Sequence, residues 1–182
     1  MTSLSDFSGS ELELIASLPY KVGVFVSHAD DADGETDDEK EMAALEACIK
    51  AIAGLHDDQP FTAEVLGQTL SMKTEWPRWA AQSFNVPDAA REGAVLLQGR
   101  ASESEFKNYC AALMEIASTV AQAYGEFGEF DDDDSSGGVF SGLVSKIAGG
   151  LSSLSADDDN HPMNVSAAED TAINVLRDAL KV

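Results

Sequence analysis

Residues 30–52 read DDADGETDDEKEMAALEACIKAI, an acidic turn followed by an apolar-periodic segment. Thr36 and Glu39 fit the capping box, in which a Thr side chain and a Glu three residues later cap a helix start. The pattern therefore predicts a helix that begins at Asp37 and ends at Gly54. Apolar residues recur along it at spacings of three and four, which predicts one buried stripe: Met42, Leu45, Ile49 and Ile52.

Helix signals extend on both sides of this stretch, and strict alternation of apolar and polar residues is scarce. The segment 20–27 (YKVGVFVS) could be read as a strand, but it continues the preceding apolar run and ends at the acidic turn. We predict that it is helical, with Pro19 in a first turn or at a kink. A shorter helix is predicted over residues 62–71, and Pro77 and Pro87 each suit a helix start.

Two further capping boxes predict the last long helices. Ser102 with Glu105 opens a helix that runs to Gly125, and Ser166 with Glu169 opens the last one. The first of these helices places its large apolar residues on one face: Phe106, Tyr109, Leu113, Ile116, Val120 and Tyr124.

The length of 182 residues fits one domain. We expect a flexible N-terminal tail over residues 1–10 and a helical domain over residues 11–182. Residues 126–163 are rich in Gly, Ser and Asp and are expected to form a flexible insertion. Apolar residues recur at helical spacing within residues 140–154, so this part of the insertion is expected to dock on protein, either its own domain or a partner.

The formal net charge is −22, with 11 Lys and Arg against 33 Asp and Glu. Such a charge repels nucleic-acid phosphates and anionic lipid headgroups, and it attracts divalent cations and basic protein partners. The sequence has neither a signal peptide pattern nor an apolar run long enough to span a bilayer, which predicts a cytoplasmic protein with no membrane insertion. Cys48 and Cys110 lie in apolar stripes and are expected to be buried free thiols.

The chain also contains a hidden repeat. The segment VGVFVSHADDADGETDDEKEMAALEACIKAI, residues 22–52, consists of an apolar helix, a Gly-Glu turn, a capping box and a second apolar helix. The same order is found in LMEIASTVAQAYGEF, which resumes after the insertion as NVSAAEDTAINVLRDAL. The repeat predicts an all-α domain built from two related helix-turn-helix halves.

These motifs resemble the TerB-like domain of the tellurite-resistance proteins. The match is closest in ADGETDDEKEMAAL, residues 32–45, and looser in QAYGEF joined to NVSAAEDTAINVL. The resemblance implies an all-helical fold and binding of a divalent cation, calcium being the ion usually discussed, in a bacterial tellurite-resistance or stress-response context. It places Asp33 at the aspartate before glycine and Glu39 at the carboxylate of the first helical turn. In the second copy Glu169 takes the helix-start place, but Tyr124 replaces the aspartate, so that turn has either lost its ion or borrows carboxylates from the insertion.

Calcium takes six to eight oxygen ligands, and residues 30–39 contain seven carboxylates. The EF-hand frame fails, because with Gly34 as the loop glycine Ala29 falls at the first ligand position and Lys40 at the twelfth. A site of different geometry is therefore predicted. Its expected ligands are Asp30, Asp31, Asp33, Glu35, Asp37, Glu39 and Glu169. The alternative is a solvated acidic surface in a metal-independent protein-interaction module.

Other residues have plainer interpretations. Trp76 and Trp79 are expected in the core rather than as an exposed anchor for a partner. His28, His56 and His161 lack zinc-ligand spacing and are expected at the surface or in loops. No nucleophile elbow or phosphate-binding glycine loop is present, which predicts that the protein is not an enzyme, a metal-dependent hydrolase being the weaker alternative.

Overall fold

The computed structural model describes residues 2–29, 38–126 and 166–182, and the side chains of residues 38–40 and 123–126 lie outside this description. The described residues form seven α-helices and three short 3₁₀ segments and contain no strand, which confirms the all-helical class. The 3₁₀ segments are Leu4–Asp6, Lys73–Glu75 and Ser83–Asn85. The α-helices are α1 Gly9–Ser27, α2 Asp38–Leu55, α3 Pro60–Ser71, α4 Trp76–Ala80, α5 Val86–Arg100, α6 Glu103–Glu126 and α7 Ala167–Ala179.

Helix α1 is the centre of the domain and contacts every other described helix. Most of its side chains between Ile15 and Ser27 are buried. A helix that is apolar on all sides requires such a central position, because each face needs a partner to exclude water. The helical prediction for residues 20–27 is thus confirmed. Pro19, expected in a first turn or at a kink, lies inside the helix, because α1 already begins at Gly9.

Residues 2–10 pack on the domain, whereas we expected a flexible tail over residues 1–10. Leu4 and Phe7 are buried in the core. The backbone N–H of Thr2 donates to Oε1 of Glu105 at 2.8 Å. Two apolar side chains and charge-assisted hydrogen bonds to Glu105 and Glu64 together offset the entropy lost when this segment is ordered.

The aromatic residues of α4 lie in the core, as predicted. Trp76 and Trp79 are almost completely inaccessible to solvent. Trp76 Nε1 donates to the carbonyl of Thr69 at 3.1 Å, and Trp79 Nε1 donates to Oε1 of Glu13 at 3.4 Å. Both indoles are therefore buried without leaving their single N–H group unpaired.

The predicted helix starts agree closely with the structure. Pro77 and Pro87 occupy the first turns of α4 and α5. In α6 the Ser102 N–H donates to Oε2 of Glu105 at 2.8 Å, while the Glu105 N–H donates to Oγ of Ser102 at 3.3 Å. Helix α2 begins one residue after Asp37 and ends one residue after the expected Gly54, which is within the usual variation of helix bounds.

The predicted stripes face the core. Leu45, Ile49 and Ile52 of α2 are buried, and Met42 is partly buried and packs against the core.

None of the helices in residues 2–29, 38–126 and 166–182 combines the length and apolarity needed to cross a membrane. The capping box of Thr36 and the insertion 126–163, apart from Glu126 at the end of α6, lie outside the described residues.

Candidate functional site

The acidic segment, residues 30–37, connects the end of α1 to the start of α2. Oγ of Ser27 donates to Oε1 of Glu41, which ties the last residue of α1 to the first turns of α2. Nε2 of His28 lies 3.4 Å from Oε2 of the same carboxylate. The side chain of Glu41 is only 10% exposed, so this carboxylate beside the acidic segment is part of the packed contact between α1 and α2.

The predicted metal ligands are described only in part. Asp30, Asp31, Asp33, Glu35 and Asp37 lie outside the described residues. Glu39 is in the first turn of α2, and its side chain is also outside the description. Among the residues that the structure does describe, no three His, Cys, Asp or Glu side chains come together to hold a metal ion. The cation site therefore stays a prediction.

Glu169 is the one predicted ligand whose side chain is described. It is 2% exposed, and its Oε2 accepts the backbone N–H of Ser166 at 2.9 Å. The Glu169 N–H in turn donates to Oγ of Ser166 at 3.2 Å, which completes the predicted capping box of α7. A carboxylate at this position satisfies a helix-start donor and complements the positive end of the helix, so a metal would compete with the cap for it.

A buried polar cluster around His56 was not predicted. The residue follows α2 in a turn, as expected for a loop histidine, but it is only 5% exposed, which corrects the surface alternative. Nδ1 lies 2.7 Å from Oε1 of Gln59, and Nε2 lies 2.6 Å from Oε2 of Glu115 on α6. The hydrogen bond to Glu115 raises the pKa of His56, with further upward contributions from Gln59 and Asp58, while burial acts in the opposite direction.

The burial of His56 has a signal in the sequence that a search for metal-ligand spacing does not detect. His56 follows Ile52 by four residues and therefore continues the buried stripe of α2. Its partner Glu115 is 59 residues away, and no local pattern links the two. A polar residue on a buried stripe is a reason to look for a paired partner, since unpaired buried polar groups are costly.

A cavity of about 330 Å³ lies next to this cluster, between the starts of α3 and α6. Gln59 is the residue before α3, its side chain makes no cap on that helix, and its amide oxygen faces His56. Oγ1 of Thr62, which is fully buried, has no hydrogen-bond partner among the residues that the structure describes. The cavity lining consists of Asp58, Gln59, Pro60, Phe61, Thr62, Ser102, Ser104, Glu105 and Asn108.

The few basic residues are mostly engaged with carboxylates. Lys50 and Lys73 both bind Glu46, and Arg78 binds two carboxylates at once. Further pairs join Arg91 to Asp88, Arg100 to Glu11, Lys107 to Glu103 and Lys181 to Asp178. This pairing leaves a large excess of acidic groups to set the external potential, which favours cations and basic partners.

Comparisons with family models, with curated proteins and with solved structures find no significant match to this chain. The resemblance to TerB-like domains therefore depends on the sequence motifs alone. Contacts in the structure join α1 to α2 and α6 to α7, the helix pairs that the repeat predicts. An equivalence of the two halves stays a prediction.

Proposed function

We propose that this chain is a cytoplasmic divalent-cation-binding helical module, calcium being the ion, of the bacterial tellurite-resistance or stress-response type. The observation that carries the proposal is the acidic segment between two helices whose facing ends are tied together by Ser27 and Glu41. The proposed ligands are those of the sequence prediction, with Asp33 and Glu39 at its centre. The biological context comes from the TerB-like resemblance.

Simple electrostatics supports a cation at this position. Carboxylates crowded within a few residues repel one another, and the end of a helix carries a partial negative charge. The acidic segment follows the end of α1 directly, so both effects act on its first carboxylates, whereas the positive start of α2 favours the carboxylates at its other end. A doubly charged ion would relieve the repulsion, and because it would bind the folded chain in preference to the unfolded chain it would raise stability.

Thermal unfolding with and without calcium tests the proposal. We expect the melting temperature of the parent to rise by about 5–10 °C when free calcium is about 100 times Kd, and to fall back on addition of a chelator. Asp33→Asn and Glu39→Ala should reduce this shift. Glu92→Gln, which removes an exposed carboxylate from α5, is the matched control and should respond like the parent.

Titration calorimetry provides the decisive negative result. If neither calcium nor magnesium at millimolar concentration produces heat, and if the melting temperature does not move, the chain does not bind these ions. A shift of equal size in the parent and in both variants would instead place binding elsewhere on the acidic surface.

The second candidate is an acidic protein-interaction module that needs no metal. It is favoured by the excess of unpaired negative charge and by the aromatic side chain of Phe84, which is 83% exposed. Such a module would bind a basic partner, with electrostatic attraction speeding association. A melting curve unaffected by chelator, together with partner capture that survives Asp33→Ala, would support this function over the first.

A further inference from the structure

We propose that His56 is a proton-controlled latch, which in its protonated form holds the α2–α3 turn on α6 and sets the shape of the cavity at the starts of α3 and α6. The latch consists of His56, Gln59 and Glu115. It does not depend on the proposed cation site, and neither hydrogen bond of His56 within the described part of the chain includes a predicted metal ligand.

With the amide oxygen of Gln59 facing the ring, the two contacts are both satisfied by two protons on the imidazole. Each ring nitrogen of His56 faces an oxygen, the amide oxygen of Gln59 at 2.7 Å and a carboxylate oxygen of Glu115 at 2.6 Å. Neither oxygen can donate, so only an imidazolium, with an N–H on both nitrogens, makes both hydrogen bonds. When the imidazolium releases one proton to solvent, the neutral imidazole that remains has a single N–H. One of the two contacts must then break, or the amide of Gln59 must rotate to present its NH₂ group.

The charges around the ring stabilise the imidazolium. Glu115 faces it from α6, and Asp58 acts on it from its own turn, while the neutral amide of Gln59 faces it from the start of α3. The hydrogen bond to Glu115 is the largest contribution and raises the pKa above the unperturbed value of 6.5, against the effect of burial. A raised pKa in the folded state means that the latch is complete below about pH 6.5 and is lost as the pH rises through the folded pKa.

The latch reaches the cavity through Gln59. This side chain is the partner of His56, the cap position of α3 and part of the cavity lining. While His56 holds it, α3 has no side-chain cap, and the hydroxyl of Thr62 in the same lining has no partner within residues 2–29, 38–126 and 166–182. Once released, the Gln59 amide can turn towards the uncapped start of α3. The cavity described above is therefore that of the protonated state.

Nitrogen-detected NMR of the histidine rings across about pH 5 to about pH 9 tests the protonation directly. We expect the midpoint of His56 in the parent to lie above 6.5 and to fall to about 6.5 or below in Glu115→Gln. Glu103→Gln is the matched control, because Glu103 is on the same helix, is 80% exposed and pairs with Lys107. This control should titrate like the parent. A parent midpoint at or below 6.5 would overturn the proposal without any variant.

Hydrogen exchange measured over the same range tests the latch. The protection factors of the backbone amides in residues 56–62 should fall as the pH rises. The total fall should be about tenfold for every pH unit by which folding raises the pKa of His56. Amides of α1 should keep their protection, and Glu115→Gln should already be unprotected at low pH. Protection of residues 56–62 that does not change with pH, or that changes equally throughout the chain, would contradict a local latch. Gln59→Glu, which gives the ring a second carboxylate, should move the whole transition to higher pH.

Discussion

Tyr20 on α1 stacks on the indole of Trp76 at the start of α4, with ring centroids 4.3 Å apart and planes inclined by 21°. Trp79 approaches the same phenol ring at 6.4 Å in a tilted arrangement. The central helix is thus joined to the five-residue helix α4 through three large aromatic side chains. A helix of five residues is not stable alone, so its position depends on this contact.

Replacing Trp76 by Ala should therefore strongly destabilise the domain. The side chain is 1% exposed, and its loss leaves a cavity beside Tyr20 and frees the carbonyl of Thr69. We expect a loss of about 3–5 kcal/mol in the free energy of unfolding, measured by urea denaturation. Phe84→Ala is the control, because Phe84 is 83% exposed, and it should change stability by less than about 0.5 kcal/mol. Equal effects of the two substitutions would refute the packing described for α4.

Replacement by Ala at two helical glycines should change the stability of the domain in opposite directions. A Cβ at Gly23 of α1 would overlap the buried side chain of Leu45 on α2. We expect Gly23→Ala to cost about 1–3 kcal/mol through overpacking, less the gain in helix propensity. A Cβ at Gly99 of α5 meets nothing, so Gly99→Ala should stabilise by about 0.4–1 kcal/mol. Urea midpoints of the two variants provide the comparison, and stabilisation by Gly23→Ala would show that α1 and α2 are less closely packed.

The two thiols should differ in reactivity. Cys48 is completely buried, and burial raises its pKa to about 12. Cys110 is partly exposed, and burial raises its pKa to about 11. Because the thiolate is the reactive form, both should react slowly with a thiol reagent at neutral pH, Cys110 before Cys48. In Cys110→Ser only the slower reaction, that of Cys48, should remain. In the unfolded parent both thiols should react rapidly with the reagent.

Acid should weaken the contact between the N-terminal segment and α6. The pKa of Glu105 is lowered to about 2 by hydrogen bonds from the side chain and backbone of Ser102 and from Thr2, against the effect of burial. A lowered pKa means that this contribution is complete above the ordinary glutamate pKa of 4.5 and is lost as the pH falls towards 2. The stability difference between the parent and Glu105→Gln should therefore shrink over that range in urea titrations. Glu92→Gln on α5 serves as the control, and a difference that stays constant with pH would contradict the assignment.

The sequence by itself determined the local features of this protein. Capping boxes, proline positions and apolar spacing are interactions within about four residues, so they act before any tertiary contact forms. For this reason the helical class, the starts of α4 and α5, the caps of α6 and α7, and the buried stripe of α2 could be predicted.

Tertiary structure alone decided the rest. Glu115 meets His56 across 59 residues, and Thr2 meets Glu105 across 103. The packing of residues 2–10 on the domain also depends on which helix faces which. Local propensity does not encode these pairings, because they arise only when several apolar stripes are buried together around α1, and that simultaneous burial fixes how the helices cross.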